Sequence, residues 1–325
     1  MAISLADAQK LTQDRLTMDV IDEFRKSDLM DSLIFDNDVA LNGGSTLAYT
    51  YNRVTTNGTA AFRAINSEYI AQEAVTTQVT TNLKVFGGSF GIDRVIQKHV
   101  KGVTNQLAFQ LSQKIQGANA LFADTFFNGS STADSKVFDG LDVILLNTST
   151  EVFASAELSA PLNLSSSSNI DSNYKVFLDK IDDMLAELDG APTALAMNRK
   201  MRSVFNKVAR RSAAYTETRD EMGRKIAYYD GIRLLTIGDK QNSSNPIIPN
   251  SKTSGGLTLG TDIYAFRSGL DGLCAITPEG DNIVDVYLPD FNAPGAVKTG
   301  EVEMVAGLAL KATKAAGVLR NIKIV

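Results

Sequence analysis

The stretch from Asn57 to Lys84, NGTAAFRAINSEYIAQEAVTTQVTTNLK, constrains this chain more than any other. Its flanks alternate. Leu47, Tyr49 and Tyr51 take turns with Ala48, Thr50 and Asn52 before it, and Val75, Thr77, Val79, Thr81, Leu83 and Val85 take turns with Thr76, Gln78, Thr80, Asn82 and Lys84 at its end. A period of two predicts half-buried strands. Paired, these flanks make a hairpin far longer than an ordinary connection, with little apolar surface of its own. A lone two-stranded ribbon is marginal in water, so something outside the hairpin has to cover it. The stretch between the flanks is acidic and poor in Arg and Lys, which favours a protein surface over nucleic acid as that cover.

Beyond Gly87 and Gly88, which close the excursion in this reading, comes the strongest helical pattern of the chain. Ile92, Ile96, Val100, Val103, Leu107, Leu111, Ile115, Phe122 and Phe126 recur at steps of three and four residues or their multiples. This predicts one long amphipathic helix from Ile92 to Asn128, stopped at Asn128 and Gly129. Gly102 and Gly117 weaken it locally, each by about 1 kcal/mol relative to Ala. Upstream, Met1 to Phe35 reads as a short helix or two in an extended arm, broken by Asn42, Gly43 and Gly44.

The middle of the chain has the texture of a compact α+β unit. A Ser/Asn-rich cap, a helix and a stop at Gly190 are read in LNLSSSSNIDSNYKVFLDKIDDMLAELDG, and APTALAMN reads as a short buried strand. Asn198 caps a second helix, RKMRSVFNKVARR; KIAYYDGIRLLTIG follows as a hairpin turning at Asp230 and Gly231. A polar loop from Asp239 to Gly256 leads to short strands in TDIYAFRSG, GLCAIT and NIVDVYLPDF. The last segment, GEVEMVAGLALKATKAAGVLRNIKIV, predicts two long strands joined through Lys314 to Gly317 and paired with each other beside the long helix.

Catalytic chemistry is hard to find. His99 is the single histidine and Cys274 the single cysteine among 325 residues, which excludes an internal disulfide and argues against triads and His-rich zinc sites. The acidic cluster Asp179, Asp182, Asp183, Glu187 and Asp189 reads as a solvated helix face, with a divalent-cation or acid-base role as the sharper alternative. GGSFG and SGGLTLG lack the spacing of a phosphate cradle. No apolar run approaches a membrane span. The net charge of −5, with Lys and Arg scattered, predicts weak and non-specific contact with nucleic acid.

An arm, a long hairpin, one long helix, an inserted α+β unit and returning strands form an order that resembles the major capsid proteins of tailed bacteriophages. YNRVTT, AAFRAINSEY, FGGSFGIDRVI, DGLD, LPDFNAPGAVKTGEVEMV and LALKATKAAGVLRNIKIV carry the likeness over nearly the whole chain. The resemblance implies an α+β fold with an N-terminal arm at 1–40 and an extended loop at 41–88. It implies a peripheral domain from 89–139 and 295–325, built on a spine helix, and an axial domain inserted at 140–294. In that family the loop lies across a neighbouring subunit. Phe62, Ile65, Tyr69 and Ile70 are then its apolar anchors, and Arg63, Glu68 and Glu73 pair with charges across the contact. Ile96, Val100, Val103, Leu107, Leu111 and Ile115 line the spine helix.

The implied function is a structural subunit, not an enzyme, without cofactor or metal. It self-assembles into hexamers and pentamers of an icosahedral head in the host cytoplasm. Its implied partners are further copies of itself, a portal protein and weakly held double-stranded DNA, with no membrane. A chain that starts at Met1 with a short arm favours a separate scaffolding protein, or none. Between Arg53 and Val85 the only lysine is Lys84, near the loop base, which argues against isopeptide links between subunits. An encapsulin-like nanocompartment shell is the alternative on the same fold, and a hydrolase using the acidic helix the alternative of another class.

Overall fold

The computed structural model describes residues 29–39, 47–56, 58–99, 106–155, 157, 160–212, 216–219, 225–254, 257–278 and 285–325; the side chains of 37–39, 97–99, 106–108, 216–219, 225–226, 253–254 and 257–259 are outside the description. Most of the predicted arm, the break at Asn42 to Gly44, and Val100, Gly102 and Val103 lie outside the described residues, as does the side chain of His99.

The strands run Phe35–Val39 (β1), Ala48–Thr56 (β2), Val75–Asn82 (β3), Lys84–Asp93 (β4), Glu151–Phe153 (β5), Leu162–Asn163 (β6), Ala194–Asn198 (β7), Thr216–Arg219 (β8), Lys225–Tyr229 (β9), Ile232–Ile237 (β10), Lys252–Ser254 (β11), Leu257–Leu259 (β12), Thr261–Phe266 (β13), Leu273–Pro278 (β14), Asp285–Tyr287 (β15), Val297–Leu310 (β16) and Ala316–Lys323 (β17). The helices are Leu29–Ser32 (α1), Arg94–His99 (α2), Gln106–Asn128 (α3), Leu141–Ile144 (α4), Ser167–Ala186 (α5) and Arg199–Ser212 (α6). β2 and β3 form a ribbon of their own. A five-stranded sheet is built on β16, which pairs with β14, β15 and β4, with β1 beside β14. An eight-stranded sheet runs β5-β17-β13-β7-β10-β9-β8, with β6 also on β17.

The eight-stranded sheet is covered on both faces, which explains why β7 is apolar at every position before its terminal Asn198. Ala194 and Ala196 face a core shared with Phe122, Phe126 and Phe127 of α3 and with Met304, Leu308 and Leu310 of β16. Leu195 and Met197 face the opposite core, against Phe177 and Ile181 of α5 and Phe205 and Val208 of α6. Phe122 is fully buried at the centre of the first core, with the rings of Phe35, Phe86, Phe126 and Phe138 at 5.8, 6.1, 6.2 and 6.0 Å.

Local chemistry in the middle region follows the sequence closely. Ser166 caps α5, its hydroxyl accepting from the Asn169 N–H at 3.2 Å. Asn198 caps α6, its Oδ1 accepting from the Met201 N–H at 2.7 Å, while its amide donates to Ile248 O at 3.0 Å and to Thr261 Oγ1 at 2.8 Å. Asp230 and Gly231 both take positive φ, 48° and 75°, as the tight primed turn between β9 and β10 requires.

Three expectations are corrected. Ile92 does not open the spine helix: it lies in β4 opposite Lys298, and helix begins at Arg94, where Asp93 Oδ1 accepts from the Val95 N–H at 2.7 Å. Ile92 alternates with Phe90 as in a strand and stands four residues before Ile96 as in a helix, and pairing with β16 decides between them. For the same reason Gly87 and Gly88 lie inside β4, opposite Glu303 and Val302, and the ribbon ends earlier, at Asn82. Finally, the two C-terminal strands do not pair with each other. β4, β14 and β15 occupy β16, so β17 finds its hydrogen bonds on β13, β5 and β6 in the other sheet. The sheets therefore do not divide at 140 and 294: β14 and β15 belong with β16, and β17 belongs with the inserted unit.

Candidate functional site

The ribbon leaves the body with its base fixed and its far end bare. β2 and β3 pair in antiparallel register from Ala48 opposite Asn82 to Thr56 opposite Val75. Threonines link the strands through side chains, Thr50 to Thr80 at 3.1 Å and Thr55 to Thr77 at 2.8 Å. The base packs on the body, where Tyr51 meets Cys274, Ile276 and Ala309. Burial there pushes the Cys274 thiol up to about 11, which removes it as a nucleophile at neutral pH.

Residues 58–74 form the tip, without helix or strand. The turn from Ala64 to Ser67 closes it: the Ser67 N–H and hydroxyl donate to Ala64 O at 3.2 and 2.9 Å, and Asn66 takes a φ of 68°. Arg63 is used inside the tip, its guanidinium 5.5 Å from the Tyr69 ring and donating to Ser67 O at 3.0 Å. Tyr69 apart, the apolar side chains are left bare. Phe62 is 108%, Ile65 92%, Ile70 88% and Tyr69 63% exposed. Glu68 and Glu73 are exposed and make no ion pair among the described residues. A segment this short of apolar neighbours cannot bury these groups itself, and in the single chain they stand in solvent.

The spine positions are more ordinary. Leu111 and Ile115 pack against Phe90, Ile92 and Val302, Ile96 is half-buried on α2, and the side chain of Leu107 lies outside the described residues. The acidic cluster on α5 is dispersed into separate contacts. Asp182 accepts from the Tyr229 hydroxyl at 2.9 Å, Asp183 pairs with Lys180 at 2.7 Å and Glu187 lies 3.8 Å from Lys314. Burial, reinforced by Asp182, pushes the Tyr229 hydroxyl far up. Among the described residues no group of three or more His, Cys, Asp or Glu side chains is placed to hold a metal ion, and no helix is long and apolar enough to cross a membrane.

The sequence reading missed a polar cluster on the eight-stranded sheet. Arg320 of β17 meets Asp142 of α4, Glu151 of β5 at 2.5 Å and Asp262 of β13 at 3.1 Å. Lys252 joins Asp142 at 2.9 Å and Asp262 at 2.5 Å. Burial works against ionised Asp142, but Lys252 and Arg320 outweigh it and hold the carboxyl below its usual range. A single Arg within the apolar run VLRNIKIV was the available signal. Each charge of the cluster has an opposite partner within it.

No family model and no curated protein matches the sequence. Solved structures do match. The holo-SrpI encapsulin complex from Synechococcus elongatus PCC 7942 superposes with a TM-score of 0.61 at 14% identity, covering 100% of this chain and 97% of that one. The capsid of the native GTA particle gives a TM-score of 0.56 at 11% identity, covering 91% and 90%. The capsid of Myoviridae phage XM1 gives 0.52 at 15% identity, covering 93% and 94%. With its ribbon, its long helix and its two sheets, this chain has the α+β fold of tailed-phage capsid and encapsulin shell proteins.

Proposed function

We propose that this chain is a structural shell subunit, the major capsid protein of a tailed phage, which forms hexamers and pentamers of an icosahedral head around double-stranded DNA. The bare tip carries the reading: Phe62, Ile65 and Ile70 have no surface of their own to cover them, on a fold whose solved relatives include capsids. Ribbon and tip are the extended loop. The five-stranded sheet with α3 is the peripheral domain, and the eight-stranded sheet with α5 and α6 is the axial domain. Phe62, Ile65, Tyr69 and Ile70 dock on a neighbouring copy, with Arg63, Glu68 and Glu73 at the rim, where charges steer the approach more than they hold it.

In this reading the protein turns over no substrate, requires no cofactor and assembles in the bacterial host cytoplasm with a portal protein. The net charge of −5 lets packed DNA slide past the subunits without being gripped. Purified protein analysed by light scattering and electron cryo-microscopy should show capsomers, shells or tubes as salt or crowding is varied. A strict monomer with reproducible hydrolytic turnover overturns the reading.

The full-length match to the SrpI encapsulin supports a second reading, a nanocompartment shell. Contents separate the two. Nuclease-protected double-stranded DNA and a portal vertex belong to a phage head, and a docked protein without protected DNA belongs to a nanocompartment.

A further inference from the structure

The base of the ribbon meets the body where β16 ends. β4 runs beside β16 only as far as Ala306, opposite Lys84; the next four residues of β16 have β14 as their strand partner. Side chains of the ribbon take over from there. The Tyr51 hydroxyl donates to Leu310 O at 3.0 Å, and the Arg53 guanidinium donates to the same oxygen and to Tyr51 Oη at 3.3 Å. One carbonyl thus receives two side-chain donors, the full capacity of its two lone pairs. Fit reinforces the bonds. A Cβ on Gly307 would stand 3.3 Å from Asn82 O and 3.4 Å from Thr81 Cγ2, so the ribbon lies closely against β16 at this glycine.

The next residue is tied as well. Lys311 Nζ bonds Asp36 Oδ2 at 3.1 Å and lies 5.6 Å from the ring of Tyr49, which stacks on Tyr51 at 5.6 Å. The Lys311 N–H donates to Gly272 O at 2.9 Å. Five residues on, Ala316 opens β17 in the other sheet, and Ala315 O accepts from the Arg267 N–H at 2.7 Å. Residues 310–316 are therefore the joint by which one sheet passes into the other.

We propose that Tyr51 and Arg53 are positioning residues that latch the ribbon to this joint, so that the direction of the loop and the geometry of the joint are set together. Resting on the shell reading, one consequence is that a neighbour holding the tip also biases the angle between the sheets. The latch itself is a property of the single chain and is tested there.

Spin labels on Thr76→Cys, far along the ribbon, and Lys200→Cys, on α6, report the ribbon's direction in the unassembled protein. The latch predicts a narrow distance distribution that at least doubles in width in Tyr51→Phe/Arg53→Ala. Amides from Lys311 to Ala316 should then exchange at least tenfold faster, while the melting temperature changes little. Arg53→Lys keeps one donor and should restore part of both effects, and Tyr51→Phe alone serves where the double variant does not fold. An unchanged distribution overturns the latch, and a broadened one with unchanged exchange at 311–316 overturns the coupling. Broadening with faster exchange, in a protein that never forms shells even with both residues intact, supports the latch and counts against the shell reading instead.

Discussion

Replacing Phe62, Ile65 and Ile70 together by Ala separates folding from assembly. In the single chain these side chains are 108%, 92% and 88% exposed, so truncation removes almost no buried surface. Exposed substitutions of this kind stay within about 0.5 kcal/mol of the parent, a shift of about 2 °C or less for a chain of this size. At a contact the arithmetic is different. Fully burying such a side chain contributes roughly 1.5–3 kcal/mol, so the three truncations weaken each contact by roughly 4.5–9 kcal/mol. At 1.4 kcal/mol per factor of ten, the contact equilibrium shifts by roughly three to six powers of ten. A concentration series followed by light scattering and negative-stain microscopy, beside a thermal melt of the unassembled protein, reads both quantities. Shells forming at the parent concentration, or a melt lowered by more than about 5 °C, would refute the reasoning, since either places these side chains in a role the geometry denies them.

Phe122→Ala should do the opposite and lower subunit stability by about 3–5 kcal/mol in denaturant titration, because it empties a fully buried site ringed by four other phenylalanines. Asp142 is held below its ordinary value, so its stabilising contribution is complete above about pH 4 and is lost as pH falls through the folded-state value. Melts at pH 3 and pH 5 should therefore differ less for Asp142→Asn than for the parent. Lys84 donates to Ser135 O at 2.7 Å within its own chain, and boiled particles should run as single-chain bands in denaturing electrophoresis, without a covalent ladder.

Local patterns carried the inserted unit because local chemistry decides it. Ser166, Asn198 and the Asp230–Gly231 pair each act within a few residues of themselves, and their caps and turn stand where the sequence puts them. The start of the helix is misplaced in the sequence because Ile92 fits two periods at once, with Phe90 as in a strand and with Ile96 as in a helix. A distant strand, β16, settles the choice, and nothing within reach of those residues announces it. The same holds for the chain's end. Apolar residues in both C-terminal strands show that each is buried, but which neighbour buries it depends on edges already occupied by segments over a hundred residues away, such as β4 and β5. The bareness of the tip follows from its composition for the inverse reason: a segment this polar cannot cover its own Phe62 and Ile70. What composition cannot state is direction, since the Leu310 carbonyl that receives Tyr51 and Arg53 lies more than 250 residues from either.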